Sequence, residues 1–92
     1  MQMTETMDAM RKRLSMRSWR RGTKEMDLVL GPYADAHLAA MSPAQMAIYD
    51  QVLEENDTDL WPMVLGQQPM PPHLSVLLVE IASFAKVRLA SS

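Results

Sequence analysis

Apolar side chains recur every three to four residues along most of this chain, which is the repeat of one helix face. In the first such segment Met7, Met10 and Leu14 share a face and predict a helix from about Thr6 to Arg20. No segment alternates apolar and polar residues for long, so the pattern predicts helices and no sheet.

Two breaks are predicted in the first half of the chain. Gly22 is expected to end the first helix, because glycine readily takes the left-handed conformation found just past helix ends. Thr23 is then a good N-cap for a second helix. Pro32 predicts a kink or a short break in that helix, because proline lacks the amide hydrogen and disfavours helix at Gly31. The apolar face of the second helix comprises Met26, Val29, Leu30 and Tyr33.

The third helix has the clearest start in the sequence. Ser42 supplies the cap, Pro43 the first helical residue and Gln45 the third, which together form a capping box. The helix is predicted to end near Asn56 and to bury one face. That face comprises Ile48, Tyr49, Val52 and Leu53.

Two more helices are predicted in the second half of the chain. Asp57 or Thr58 is expected to cap a short helix that stops at Gly66. A proline-rich linker follows at residues 67–72, and a last helix runs from about 74 to 89.

The complete pattern predicts an all-α fold, a compact bundle of four to five short helices. Residues 1–92 are expected to form a single helical domain with its core at about residues 6–90, monomeric when free. The residues expected in the core are Met26, Leu30, Tyr33, Tyr49, Leu53, Leu60 and Leu78.

Charge is strongly segregated along the chain. Residues 11–24 hold seven of the nine basic groups and no acid, whereas residues 25–60 hold eight acids and no Lys or Arg. Such a polarised molecule can orient a partner through its field. The alternative is that the basic segment docks against the acidic half of its own chain.

The sequence offers little for catalysis or metal binding. The chain has no cysteine, and His37 and His73 lie in unrelated contexts without a second ligand at metal-binding spacing. No apolar stretch approaches the roughly 18 residues of a membrane span. We therefore expect a protein without enzymatic activity, metal or membrane association. The ten methionines are expected mostly in the core, the alternative being an adaptable docking face.

One segment, residues 20–25 with the sequence Arg-Arg-Gly-Thr-Lys-Glu, has the features of a docking corner. A glycine lets the backbone of a partner approach closely, and an arginine beside it offers a planar fork for carboxylate or carbonyl groups. The alternative is a simple glycine C-cap flanked by charges that suit the helix dipoles.

The same segment resembles a known family. Arg21-Gly22-Thr23-Lys24-Glu25, followed by Met26-Asp27-Leu28, is similar to the Arg-Gly-x-x-Glu signature of the succinate dehydrogenase flavinylation factors. The resemblance covers roughly residues 8–68 and departs from the family at Thr23 and Met63. It continues in Arg11-Lys12-Arg13-Leu14, Leu30-Gly31, Tyr49, Val52-Leu53-Glu54, Asp57-Thr58-Asp59-Leu60-Trp61 and Gly66.

The resemblance implies an assembly factor that binds the flavoprotein subunit of succinate dehydrogenase and promotes its covalent attachment of FAD. In that attachment a histidine of the subunit couples to the methyl carbon of the flavin. It implies that FAD belongs to the partner, with no cofactor tightly bound here, and that a fumarate reductase flavoprotein is a further candidate client. Arg21, Gly22 and Glu25 would contact the partner. The supporting residues would be Arg20, Lys24 and Asp27.

A different class of function remains as the alternative, a small nucleic-acid-binding helical module. Its basis is the basic first helix, with Trp19 available to stack on a base. The acidic overall balance argues against it, so we expect no nucleic-acid partner. The expected location is the cytoplasm of a bacterium, or the mitochondrial matrix if the source is eukaryotic.

Overall fold

The computed structural model describes residues 5–90 and shows five α-helices and no strand in that range. The predicted all-α bundle is thus confirmed, while residues 1–4 and 91–92 of the predicted domain lie outside the described residues. The helices are α1 (Met7–Ser18), α2 (Lys24–His37), α3 (Pro43–Glu54), α4 (Asp57–Val64) and α5 (Ser75–Ala90), with a 3₁₀ turn at Leu38–Ala40 after α2.

Three of the helix starts follow directly from side-chain caps. The hydroxyl oxygens of Thr6, Thr23 and Ser42 each accept from the amide three residues on, which satisfies one of the free amides of the first turn. The Gln45 side chain also accepts from the Ser42 amide, so the predicted capping box is present.

Helix α2 is the central element, since it packs against α1, α4 and α5. Helix α3 closes the other side of α1 and also contacts α5. All seven residues predicted for the core are at most 2% exposed. Of the eight methionines among the described residues, Met26, Met41, Met46 and Met63 are buried, whereas Met7 is 42% and Met16 47% exposed.

Several expected boundaries were wrong. Helix α1 ends at Ser18 with Trp19 as its C-cap, so Gly22 does not terminate it. Of the kink or short break predicted at Pro32, the break is absent: α2 continues through the proline, because packing outweighs the one lost amide bond where Gly31, Pro32 and Tyr33 are all buried. Ile48, expected on the buried face of α3, is 38% exposed.

The start of α4 was also misassigned. Asn56 occupies the N-cap position, and neither Asp57 nor Thr58 does. The carboxylate of Asp57 is instead held by two side chains from the α1–α2 connection, which is the region of the candidate site.

Candidate functional site

The corner, residues 20–27, joins α1 to α2 and contains most of the motif. Gly22 lies there with φ +105°, a conformation that side-chain-bearing residues rarely adopt. Apart from its own atoms and those of Arg21 and Thr23, no described atom lies within 4 Å of the position that a Cβ would take, and the residue is exposed. The predicted exposed glycine at a helix junction is therefore present, with open space in front of it.

Arg21 has its guanidinium directed into the protein. Its Nη1 donates to the Leu53 carbonyl and its Nη2 to the Glu55 carbonyl, both at 2.6 Å. Its Nε donates to Asp57 Oδ1 at 2.9 Å, and the two side chains are only 9% and 11% exposed. The fork expected to face a partner is engaged within the chain. Arg21 thus joins the end of α3 to the start of α4.

The remaining polar groups of the corner lock its backbone. The Arg21 amide donates to Asp27 Oδ1 at 2.7 Å, so this carboxylate spans the turn around Gly22. The Thr23 hydroxyl donates to Asp57 Oδ2 at 3.1 Å. Asp57 therefore holds Arg21 and Thr23 on either side of the glycine. The turn is fixed from both flanks.

Arg21 is the last member of a row of arginines spaced four residues apart, Arg13, Arg17 and Arg21, which we call the arginine row. Arg13 and Arg17 both donate to Asp50, at 3.2 Å and 2.7 Å. Arg17 also donates to Glu54 Oε1 at 3.1 Å and to the Leu53 carbonyl at 3.2 Å. These bonds satisfy free carbonyls at the end of α3, where cations suit the helix dipole.

The row confirms, for these three residues, the alternative in which basic groups dock on the chain's own acids. Hydrogen bonds from Arg13 and the charges of both arginines lower the pKa of Asp50 against a smaller desolvation effect. Hydrogen bonds to Glu5 and Asp50 in turn raise the pKa of Arg13. The acidic and basic segments are therefore partly neutralised against each other.

Four charged residues of the same region remain in solvent. Lys12, Arg20, Lys24 and Glu25 are exposed, and none forms an ion pair within residues 5–90. Three of them, Arg20, Lys24 and Glu25, flank Gly22. The side chains of the motif thus divide into two groups, with Arg21 and Asp27 turned inward and Glu25 turned outward.

Two recesses adjoin the corner. One, of about 490 Å³, is open and is lined by Gly22, Thr23 and the α3–α4 connection, including Glu54, Glu55 and Asp57. The other, of about 270 Å³, is lined by Thr23, Glu25, Asp57, Thr58, Trp61 and Pro62. The first presents acids, whereas the second adds the indole of Trp61, so the surface around Glu25 is partly apolar.

Trp19, the residue proposed to stack on a base, lies flat against the backbone of α2. A Cβ at Gly31 would stand 2.5 Å and 2.6 Å from its ring atoms Cε2 and Cε3, so only glycine fits there. The indole Nε1 donates to Asp35 Oδ1 at 3.3 Å. One ring face is therefore covered, and three of the basic residues named for the nucleic-acid alternative are the inward-turned arginine row.

A buried hydroxyl pair sits behind the corner. Ser18 Oγ donates to the Leu14 carbonyl at 2.7 Å and lies 2.5 Å from Tyr49 Oη, and both residues are fully buried. Burial raises the pKa of Tyr49 to about 12. This pair joins the end of α1 to α3 through neutral hydrogen bonds.

Among residues 5–90 no group of three or more His, Cys, Asp or Glu side chains is arranged to hold a metal ion. Nor does this part of the chain contain a helix long and apolar enough to cross a membrane.

Comparison with known proteins identifies the family to which this helical bundle belongs. Residues 12–85 match the family model described as flavinator of succinate dehydrogenase, and the chain belongs to that family. The family resemblance drawn from the sequence is thereby confirmed.

Individual relatives carry matching names. Succinate dehydrogenase assembly factor 2, mitochondrial, of Aspergillus terreus is 44% identical over 57 residues, which are 62% of this chain and 19% of the relative. The protein of the same name in Kluyveromyces lactis is 42% identical over 62% of this chain and 35% of the relative. FAD assembly factor SdhE of Acetobacter pasteurianus is 30% identical over 73% of this chain and 62% of the relative. This chain therefore spans well under half of the two fungal relatives.

Sequence reasoning missed two features of the site. Asp57 was assigned to helix capping, whereas its carboxylate accepts a hydrogen bond from Arg21. The two residues are 36 positions apart, so no local sequence pattern predicts that they pair. Trp61 was not identified as a site residue, although it is half-buried and lines the recess beside Glu25. The only signal was that both residues belong to the segment through which the family resemblance continues.

Proposed function

We propose that this protein binds the flavoprotein subunit of succinate dehydrogenase and promotes the covalent attachment of FAD to that subunit. Membership of the flavinator family and the names of the relatives support the proposal. The observation in the structure that carries it is the open, positive-φ Gly22 beside Glu25, which is exposed and forms no ion pair within residues 5–90.

The corner supports a defined division of labour. Gly22 lets a partner backbone approach, and Glu25 accepts hydrogen bonds from partner donors that lose their water on docking. Arg21 and Asp27 act as positioning residues, since their polar groups hold the turn from inside. Arg20 and Lys24 supply exposed positive charge that draws the partner in.

We assign the chemistry of flavin attachment to the partner and its cofactor. The open recess at Gly22 is lined by Glu54, Glu55 and Asp57, and the one cation in its lining, Arg21, is already paired with Asp57, so no free cation among the described residues lines it to bind the diphosphate of FAD. This arrangement favours a surface for protein over a site for free FAD. A fumarate reductase flavoprotein is a second candidate client. Cytoplasm in a bacterium or mitochondrial matrix in a eukaryote is the compartment that this role requires.

The test is reconstitution of covalent flavin on purified apo-flavoprotein with FAD, read by in-gel flavin fluorescence after denaturation. Gly22→Arg should abolish the signal, because the side chain projects into the space that the partner must enter. The positive φ at Gly22 should cost this variant about 1 kcal/mol of stability. Thermal unfolding by circular dichroism checks that it remains folded. A folded Gly22→Arg protein with wild-type flavin attachment would refute the corner as the docking site.

Glu25→Ala is the complementary variant. We expect it to weaken binding to the apo-flavoprotein by about 1–3 kcal/mol, the usual cost of a lost charge-assisted hydrogen bond at a desolvated contact. Asp8→Ala is the matched control, because Asp8 is an exposed acid in the first turn of α1 as Glu25 is in α2. Both lose the same helix-dipole interaction, so calorimetric titration should separate them only if Glu25 touches the partner.

A further inference from the structure

An apolar concavity lies next to the corner, outside the Arg-Gly-x-x-Glu motif. It is a groove of about 370 Å³ between α2, α4 and α5, which we call the apolar groove. Among the residues that line it, Lys86 is the one with a charged side chain. The apolar lining includes Val29, Trp61, Val64, Leu65, Met70 and Val79.

Trp61 connects the apolar groove to the corner. Its indole lines the groove on one side and the recess of Thr23, Glu25 and Asp57 on the other. A protein surface that docks on Glu25 therefore meets Trp61 next and the groove immediately behind it. The polar and apolar parts form one continuous face.

The mouth of the groove exposes large apolar side chains to water. The side chains of Leu65 and Val79 are 48% and 55% exposed. Trp61, which lines both the groove and the Glu25 recess, is half-buried. Exposed apolar surface joined to a polar rim is typical of protein interaction sites, where buried aromatic residues carry much of the binding energy. The volume lies at the low end of ligand pockets and suits an inserted apolar side chain.

We propose that the docking surface for the flavoprotein subunit extends from Glu25 across Trp61 into the apolar groove, which receives an apolar side chain of that subunit. The inference rests on the proposed function. The groove is assigned to the flavoprotein subunit because Trp61 lines both the groove and the Glu25 recess. A partner bound at Glu25 would therefore also cover the mouth of the groove. The corner then confers polar specificity, and the groove removes apolar surface from water.

The test is a pair of identical substitutions on α5. Val79→Glu places a carboxylate in the groove mouth, where docking would bury it without a partner, and should raise the Kd for apo-flavoprotein at least about tenfold. Val76→Glu adds the same charge three residues away on the same helix, at a residue that is 84% exposed and does not line the groove. Its Kd should stay within about twofold of wild type.

A milder variant tests the groove without added charge. Leu65→Ala removes apolar surface from the same mouth and should raise the Kd by about threefold to tenfold. Circular dichroism melting confirms that each variant is folded, which the exposure of both sites favours. Titration calorimetry with apo-flavoprotein supplies the Kd values, and Glu25→Ala is measured beside them.

Each outcome has a definite meaning. Weak binding by Val79→Glu and Leu65→Ala, with normal binding by Val76→Glu, supports the extended surface. Wild-type binding by both groove variants, with weakened Glu25→Ala, overturns the groove and leaves the corner intact. Failure of the wild-type protein itself to bind the flavoprotein overturns the proposed function and the groove with it. Sedimentation that shows Val79→Glu abolishing self-association, with flavoprotein binding unchanged, would assign the groove to a second copy and overturn the proposal.

Discussion

The short basic segment contains two sets of cations, one hydrogen-bonded within the protein and the other exposed to solvent. The arginine row, Arg13, Arg17 and Arg21, is bonded to acids and carbonyls around the end of α3. Lys12, Arg20 and Lys24 interleave with that row in the sequence, yet their side chains are exposed and form no ion pair within the described residues. Within α1, helix geometry separates Lys12 from Arg13 and Arg17, because side chains four residues apart share a face and adjacent ones diverge. Arg20, Arg21 and Lys24 lie past the end of α1, where the turn around Gly22 leaves the Arg21 side chain bonded to α3 and α4.

The contrast shows that one charge run can supply cations that stabilise the fold and cations that stay in solvent. The inward set is composed of arginines, whose planar forks bond several acceptors at once. The outward set includes two lysines, whose strongly hydrated ammonium groups stay in water. A net-charge argument treats both sets alike. Only the inward one constrains the corner, and only the outward one is available to a partner.

The largest expected difference between the two sets is in stability. Arg21→Ala should lower the free energy of unfolding by about 3 kcal/mol, because it leaves Asp57 and two carbonyls without their buried donor. Arg20→Ala, its exposed neighbour, should change it by less than about 0.5 kcal/mol. Urea unfolding followed by circular dichroism measures both.

The same pair of variants also bears on binding. We expect Arg21→Ala to weaken flavoprotein binding by about 1–3 kcal/mol even where the protein is fully folded, since the Gly22 turn loses its anchor. Equal stability in Arg21→Ala and Arg20→Ala would contradict the inward assignment of the row.

A smaller effect is expected from the acid that the inward row shares. The pKa of Asp50 is lower in the folded protein than in the unfolded chain, so its stabilising contribution is present above the usual aspartate pKa of about 4. That contribution is lost as the pH falls through the lowered pKa. Asp50→Asn should therefore cost about 1 kcal/mol at pH 7, a value reduced by partial solvent exposure.

The pH dependence separates this pairing from a packing effect. The difference in unfolding free energy between wild type and Asp50→Asn should shrink as the pH falls from 7 to about 3. Urea titrations at four or five pH values measure it. A difference that stays constant with pH would assign the cost to packing and not to the ion pairs of Arg13 and Arg17.

The smallest effect belongs to the outward set and is kinetic. The double variant Arg20→Ala with Lys24→Ala should slow association with the flavoprotein by about twofold to fivefold at low salt, with little change in dissociation. The difference should vanish near 1 M salt, where charges are screened within about 3 Å. Stopped-flow mixing measures both rates, with Arg88→Ala as an exposed control on α5. An identical salt dependence in all three proteins would rule out steering by this set.

Periodicity predicted the core because helix faces repeat locally. Tyr49 and Leu78 could be assigned from neighbours three and four residues away, and the Ser42 cap from three consecutive positions. The failures involve contacts between distant residues. Pro32 was expected to interrupt its helix, and the tertiary packing that overrides this preference is not encoded in its immediate neighbours.

The candidate site divides in the same way. The exposed Gly22 and Glu25 could be identified from the motif and its family resemblance. The arginine row was visible as a stripe at intervals of four, but its acceptors on α3 and α4 lie 32 to 37 residues along the chain. No local rule pairs residues at that separation. The motif arginine therefore looked like a contact residue when it is bonded inside the fold.

The two tryptophans give the molecule a pair of separate optical reporters. Trp19 covers the backbone of Gly31 at the α1–α2 crossing, whereas Trp61 separates the Glu25 recess from the apolar groove. Emission from Trp19 accordingly reports how these helices meet, and emission from Trp61 reports how wet the proposed docking face is. In a variant that keeps only Trp19, a shift in the emission wavelength would report folding. In a variant that keeps only Trp61, such a shift would report docking, and neither measurement needs an added dye.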